Sequence, residues 1–146
     1  MIFRSLSEKE TDLALKLAWN VFLEFEAPDY NREGVDEFYM SIHDPEFVRK
    51  LFFYGAFEGE DLVGVLATCS GGEHITLFFV KGEMQGQGIG RTLFELAQAK
   101  NTSGIMTVNS SPYAVGIYRH FGFAGISSEQ ITNGIRYTPM ELCLWT

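Results

Sequence analysis

Positive charge, cysteine and membrane-length apolar runs are the features this sequence has least of. Lys and Arg number 11 against 19 Asp and Glu, a formal net charge of −8, and no run of basic residues stands out. Proteins that grip nucleic-acid phosphates leave a basic footprint, so that class of partner is disfavoured. An acidic surface instead attracts cationic small molecules or basic peptides. The only cysteines, Cys69 and Cys143, lie in apolar strand-like segments, where buried free thiols are expected before a disulfide or a nucleophile. No apolar stretch approaches the length that crosses a bilayer, and Met1 to Glu8 show no basic region leading into an apolar run. No membrane association and a cytoplasmic, reducing location are therefore expected. His43 and His120 have no His, Cys or carboxylate at metal-ligand spacing, so no metal is expected, and Asp44 beside His43 reads as a loop contact.

What is present points to a single globular domain over residues 1–146. That length buries a core without staples, and 46% hydrophobic with 21% charged residues is an ordinary globular composition. Aromatics reach 14%, with 13 Phe, which suits a packed core first and a wide apolar cleft second. Residues 2–6 read as a strand. Ser7 and Glu10 form a capping box before a helix ending near Glu26, with Leu13, Leu17, Val21, Leu15 and Phe22 as its stripe. A second helical region spans Arg32 to Lys50, interrupted at His43-Asp44-Pro45 because the residue before proline avoids helix. Phe52–Phe57 and Leu62–Cys69 form a hairpin, and His74–Val80 is a further strand with both faces covered. A helix from Ile89, a strand at Ile105–Val108, a helix at Tyr113–Phe121 and a hairpin about Asn133-Gly134 complete the chain. The order is β-αα-βββ-α-β-α-ββ, an α/β (α+β) mixed sheet with helices packed on it.

The segment Val80-Lys81-Gly82-Glu83-Met84-Gln85-Gly86-Gln87-Gly88-Ile89-Gly90-Arg91 joins a buried strand to an amphipathic helix. Glycines allow close backbone approach and positive φ, and the first N–H groups of a helix face an anion. A phosphate or pyrophosphate is the ligand this pattern accommodates. A dinucleotide fingerprint fails, because the third glycine position falls on Arg91 or Leu93. A Walker loop fails as well, because Gln85 stands where its first glycine belongs.

Gln85-Gly86-Gln87-Gly88-Ile89-Gly90 resembles the Q/R-x-x-G-x-G/A signature of the GNAT superfamily of N-acetyltransferases. Downstream, Asn109 and then Ala114-Val115-Gly116-Ile117-Tyr118-Arg119-His120-Phe121-Gly122-Phe123 resemble that family's A-x-x-x-Y-x-x-x-G-F block. The resemblance covers nearly the whole chain in element order. It implies a GNAT-like fold and acetyl-CoA as cosubstrate, with direct acetyl transfer to a primary amine. It also implies that Gln85, Gly86, Gln87, Gly88, Ile89 and Gly90, with Arg91, hold the pyrophosphate, and that Asn109 belongs to the same cofactor site. The strand ending Phe78-Phe79-Val80 is implied to splay from its neighbour and expose main-chain groups to the pantetheine arm. Dimers are common among relatives, so a homodimer is an implied option that no residue here establishes.

Amine acetylation requires a neutral amine, a stabilised oxyanion and a proton for the departing thiolate. Tyr118 falls at the family's acid position, and a phenol of pKa about 10 can protonate a thiolate. The alternative is a core tyrosine on an amphipathic helix. His74, eleven residues before Gln85, is a candidate base, since an ordinary pKa of about 6.5 suits proton uptake near neutrality. It shares a strand face with Thr76 and Phe78. It reads equally as a hydrogen-bonded strand-end histidine, and a remote carboxylate acting through water is a third option. Glu24, Glu26 and Tyr30, in a stretch of three acids and two aromatics, suit a cationic acceptor, or else form a solvated acidic helix end. The rival to catalysis is a silent acyl-CoA-binding sensor or interaction module on the same fold.

Overall fold

The computed structural model describes residues 1–144. Its strands are β1 (Ile2–Ser5), β2 (Phe52–Glu58), β3 (Asp61–Cys69), β4 (His74–Val80), β5 (Ile105–Ser110), β6 (Ala124–Gly125), β7 (Gln130–Thr132) and β8 (Ile135–Cys143). Its helices are α1 (Thr11–Phe25), α2 (Arg32–Ile42), α3 (Pro45–Arg49), α4 (Ile89–Lys100) and α5 (Val115–His120). The sheet runs β1-β2-β3-β4-β5-β8-β6, with β7 paired to β8. All pairings are antiparallel except β4 with β5.

Local chemistry accounts for most boundaries. The Glu10 carboxylate accepts a hydrogen bond from the Ser7 backbone N–H at 2.8 Å, which completes the capping box ahead of a short 3-10 turn and α1. Asn31 caps α2 by accepting from Gly34 N at 3.0 Å, and Asp44 caps α3 by accepting from Glu46 N. The interruption at His43-Asp44-Pro45 thus separates two helices. Asn133 and Gly134 take φ of 53° and 80°, the two positive values that a tight hairpin turn requires.

Two apolar layers enclose the sheet. Ala14, Leu17, Ala18, Val21 and Phe22 of α1 pack on one face against Val65, Leu77 and Phe79. Leu93, Phe94 and Ala97 of α4 pack on the other face with Met106, Tyr118, Phe123 and Met140. Each fully buried side chain of the size of Phe22 or Leu93 stabilises the fold by about 1.5–3 kcal/mol. The buried stripe of α1 includes the two alanines, which allow close approach to the sheet, whereas Leu13 is exposed.

Three expectations change. The final strand region divides into β6, β7 and β8, and only Gln130–Thr132 of the segment before the turn pairs as a strand. Cys69 is half-buried and Cys143 exposed, both as free thiols. β4 is not covered along its whole length: Ile75, Leu77 and Phe79 are buried, while Thr76, Phe78 and Val80 remain partly accessible. That accessibility is the first sign of a cleft.

Candidate active site

The cleft originates in a single unmatched residue. Ala67 pairs with Leu77 and Thr68 with Ile75, so Thr76 has no partner on β3 and forms a bulge. A bulge bends its strand and sharpens the local twist. Consistently, β4 pairs with β5 only at His74–Thr107 and Ile75–Val108, and from Thr76 onward the two strands part. The bulge also exchanges the faces of the strand. Ile75 packs with the α4 layer, as do Phe78 and Val80, whereas Leu77 and Phe79 pack with the α1 layer. His74 and Phe78 therefore do not share a face.

Through the parted strands runs a cavity of about 470 Å³. Val21 and Phe25 of α1 wall one side, Ile117 and Phe121 the other, and Phe78, Phe79 and Val80 lie between. At one end is the glycine loop, with Gly86 at φ 79° and Gly88 at φ 83°. A Cβ at either would meet nothing within 4 Å, so backbone conformation and not space requires glycine there. Gly88 caps α4, whose first turn carries no acid, leaving its N–H groups facing the cavity end. The Gln85 side chain has a structural role: its Nε2 donates to Val80 O at 3.0 Å, and its Oε1 accepts from Tyr113 Oη at 3.1 Å. Tyr113 in turn packs on Phe25 at 5.3 Å, forming a strap across the mouth. The Arg91 guanidinium rests 4.9 Å from the centre of the Phe121 ring.

A second chamber of about 140 Å³ adjoins the first, on the side of α2 and the β7–β8 hairpin. Glu26 and Tyr118 line both chambers. Burial pushes the Glu26 carboxyl up to about 7, with the Ser111 hydroxyl opposing and Asp29 adding to the rise. Burial likewise raises the Tyr118 phenol well above its ordinary value, and the Glu26 carboxylate reinforces the shift. Tyr118 is 5% exposed, held between Phe78 and Phe123 in edge-on contacts. A carboxyl that ionises near neutrality and a phenol that keeps its proton thus line one boundary.

Other residues singled out in the sequence lie elsewhere. His74 sits at the closed end of the splay, outside both linings, with Nδ1 2.8 Å from Thr107 Oγ1, and burial lowers its pKa. The strand-end reading is the one its geometry fits, because the bulge turns it away from Phe78. His74→Ala is expected to leave turnover and its pH profile unchanged while costing about 1 kcal/mol of stability, measured by steady-state kinetics and denaturant unfolding. A shifted pH profile would return His74 to the mechanism. Glu24 is exposed and outside both chambers, its Oε1 lying near Gly82. Gln87 is exposed and outside them as well, and Asn109 lines the smaller chamber, not the larger. Tyr30 lines the smaller chamber, donating from Oη to Arg136 O at 3.1 Å. Sequence reasoning missed Tyr113, Phe121, Ser111 and His120 as cleft residues. Pro112 at the helix start was the available signal for Ser111 and Tyr113, since a proline there fixes how the preceding turn meets the strand end. Among the described residues, no His, Cys, Asp and Glu cluster could hold a metal ion, and no helix is long and apolar enough to cross a membrane.

The profile of the acetyltransferase (GNAT) domain matches residues 26–144. Among solved structures, a GCN5-related N-acetyltransferase, described as aminotransferase class-II, from Rhodopseudomonas palustris superposes with a TM-score of 0.81. It is 20% identical and covers 98% of this chain and 95% of its own. The PaiA N-acetyltransferase from Thermoplasma acidophilum, in complex with coenzyme A, gives 0.72 at 18% identity, covering 97% and 98%. FeeM, an N-acyl amino acid synthase from uncultured soil microbes, gives 0.72 at 14% identity, covering 98% and 90%. The comparison with curated proteins returns no match.

Proposed function

Since the chain belongs to the GNAT family of acetyltransferases, we propose that it moves an acetyl group from acetyl-CoA directly to a primary amine, with Tyr118 as acid and Glu26 as base. The observation that carries this reading is the meeting of Glu26 and Tyr118 at the boundary of the two chambers. The larger chamber suits a slender acyl-CoA arm: it is apolar along its length and ends at the positive-φ glycines and the free N–H groups of α4. Those N–H groups, with the backbone of Gly86 to Gly90 and the Arg91 guanidinium, would hold the pyrophosphate. Gln87 contributes only backbone, and Gln85 orders the loop through Val80 and Tyr113. The unpaired edge of β4 from Thr76 to Val80 offers backbone groups to the amides of the arm and to the acyl carbonyl.

Acetyl-CoA supplies the acyl group as a reactive thioester. Glu26, ionised above about pH 7, takes the proton of the incoming ammonium, directly or through water, and leaves a neutral nitrogen. The new C–N bond forms as the C–S bond breaks. The Tyr118 hydroxyl donates its proton to the departing sulfur, the proton remaining on the newly acylated nitrogen restores the phenol, and the proton held by Glu26 passes to solvent. The raised pKa of Tyr118 keeps the donor protonated across the working range.

Release of free CoA thiol from acetyl-CoA across a panel of primary amines tests the reading, alongside calorimetric titration with acetyl-CoA. Amine-dependent thiol release is expected. Binding without release on every amine sinks the transfer reading in favour of a sensor, and absence of binding sinks the cosubstrate.

A further inference from the structure

The walls of the smaller chamber define its occupant. We infer, building on the transfer reading above, that the acceptor is a compact monoamine carrying one ring-sized apolar body, and that polyamines, free amino acids and peptide lysines are poor acceptors.

Size is the first ground. At about 140 Å³ the chamber compares with an engineered apolar cavity of about 150 Å³ in another protein that takes up benzene. Its inner wall is aromatic: Phe22 and Phe38 stack at 4.0 Å with 6° between their planes, and Tyr30 packs on Phe22 at 5.6 Å. Charge is the second ground. Among the described residues, Glu26 is the one charged side chain in the lining, so a single ammonium is matched. A second ammonium would meet no carboxylate, and the carboxylate of an amino acid would meet no cation; each unpaired charge is costly in a desolvated site.

A seam across the outer side is the third ground. Tyr30 Oη donates to Arg136 O, Arg136 Nη1 donates to Asp29 O at 2.9 Å, and Asn133 Nδ2 donates to Glu37 Oε1 at 3.2 Å. Gly34 of α2 lies so near Gly134 of the hairpin turn that a methyl group at Gly34 would collide with the Gly134 carbonyl oxygen. Tyr30 and Ile135, both walls of the chamber, sit within this seam. A peptide approaching along this side would have to displace backbone that is already in contact with backbone.

The test is the thiol-release assay with 2-phenylethylamine, spermidine, phenylalanine and a lysine-containing peptide. The expected result is a kcat/KM for 2-phenylethylamine at least about tenfold above each of the others, a difference of about 1.4 kcal/mol in transition-state binding. Equal or faster transfer to spermidine, phenylalanine or the peptide overturns this acceptor class and leaves the transfer reading standing. Binding of acetyl-CoA with no release to any amine overturns both. Gly34→Ala, which pries the seam apart, and Arg136→Leu, which removes the bond to Asp29 O together with the Glu129 ion pair without adding bulk, are both expected to shrink the preference over the peptide severalfold. An unchanged ratio in a folded variant of each removes the seam from the argument.

Discussion

Replacing Tyr118 with Phe is expected to lower kcat for acetyl transfer by about 10²–10⁴-fold, the usual contribution of a positioned acid. The substitution removes one oxygen and keeps the ring, so the edge-on contacts with Phe78 and Phe123 persist and the core of α5 remains filled. Affinity for acetyl-CoA, measured by calorimetry, is therefore expected to hold while turnover collapses, the signature of an interaction made in the transition state. A side chain that only packed would give the opposite pattern, with near-normal kcat and some loss of stability. Turnover equal to that of the parent enzyme ends the acid assignment.

Replacing Glu26 with Gln is expected to abolish the rising limb of the pH profile. With its carboxyl at about 7, the base is largely protonated at pH 6 and largely ionised at pH 8, so kcat/KM of the parent enzyme climbs through neutrality. The Gln variant has nothing to ionise; its profile loses that limb and its rate falls by about 10²-fold or more. Stability moves the other way. Because the folded-state pKa is raised above the ordinary 4.5, the protonated form is the one the fold favours. The associated stability is fully present below the unfolded pKa and is lost as pH rises through about 7, an effect on the order of 3 kcal/mol by pH 8. Glu26→Gln, fixed in the neutral state, is thus expected to melt higher than the parent at pH 8 and no higher at pH 4. Parallel melting curves at both pH values would remove burial of the charge as the cause. A residue that destabilises the fold at the pH where it is ionised is most simply retained for its chemistry.

The features legible in the sequence were those with local causes. Asn133-Gly134 fixes its own turn, Ser7 and Glu10 their own cap, and the glycines of 86–90 their own backbone, so the hairpin, the first helix and the phosphate-type loop could be placed without tertiary information. The Thr76 bulge could not. His74-Ile75-Thr76-Leu77-Phe78-Phe79-Val80 reads as one uninterrupted strand, and only its register against β3 shows that one residue has no partner. The face assignment of His74 depended on a parity that the bulge reverses. Glu26 stood among three acids that the sequence could not rank. Its distinction comes from Ser111 and Tyr118, far along the chain, meeting it at the end of α1. Glu24, two residues earlier, points to solvent for the same geometric reason, since half a helical turn separates their directions.

The parted strands have a further consequence, for solubility. An open strand edge is ordinarily a hazard, because any extended chain can add to it and recruit others. This protein creates a further such edge in the middle of its own sheet, along Thr76 to Val80, and then walls it with Phe25, Tyr113 and Phe121. The side chains that line the cleft thus also shield this edge from strand addition.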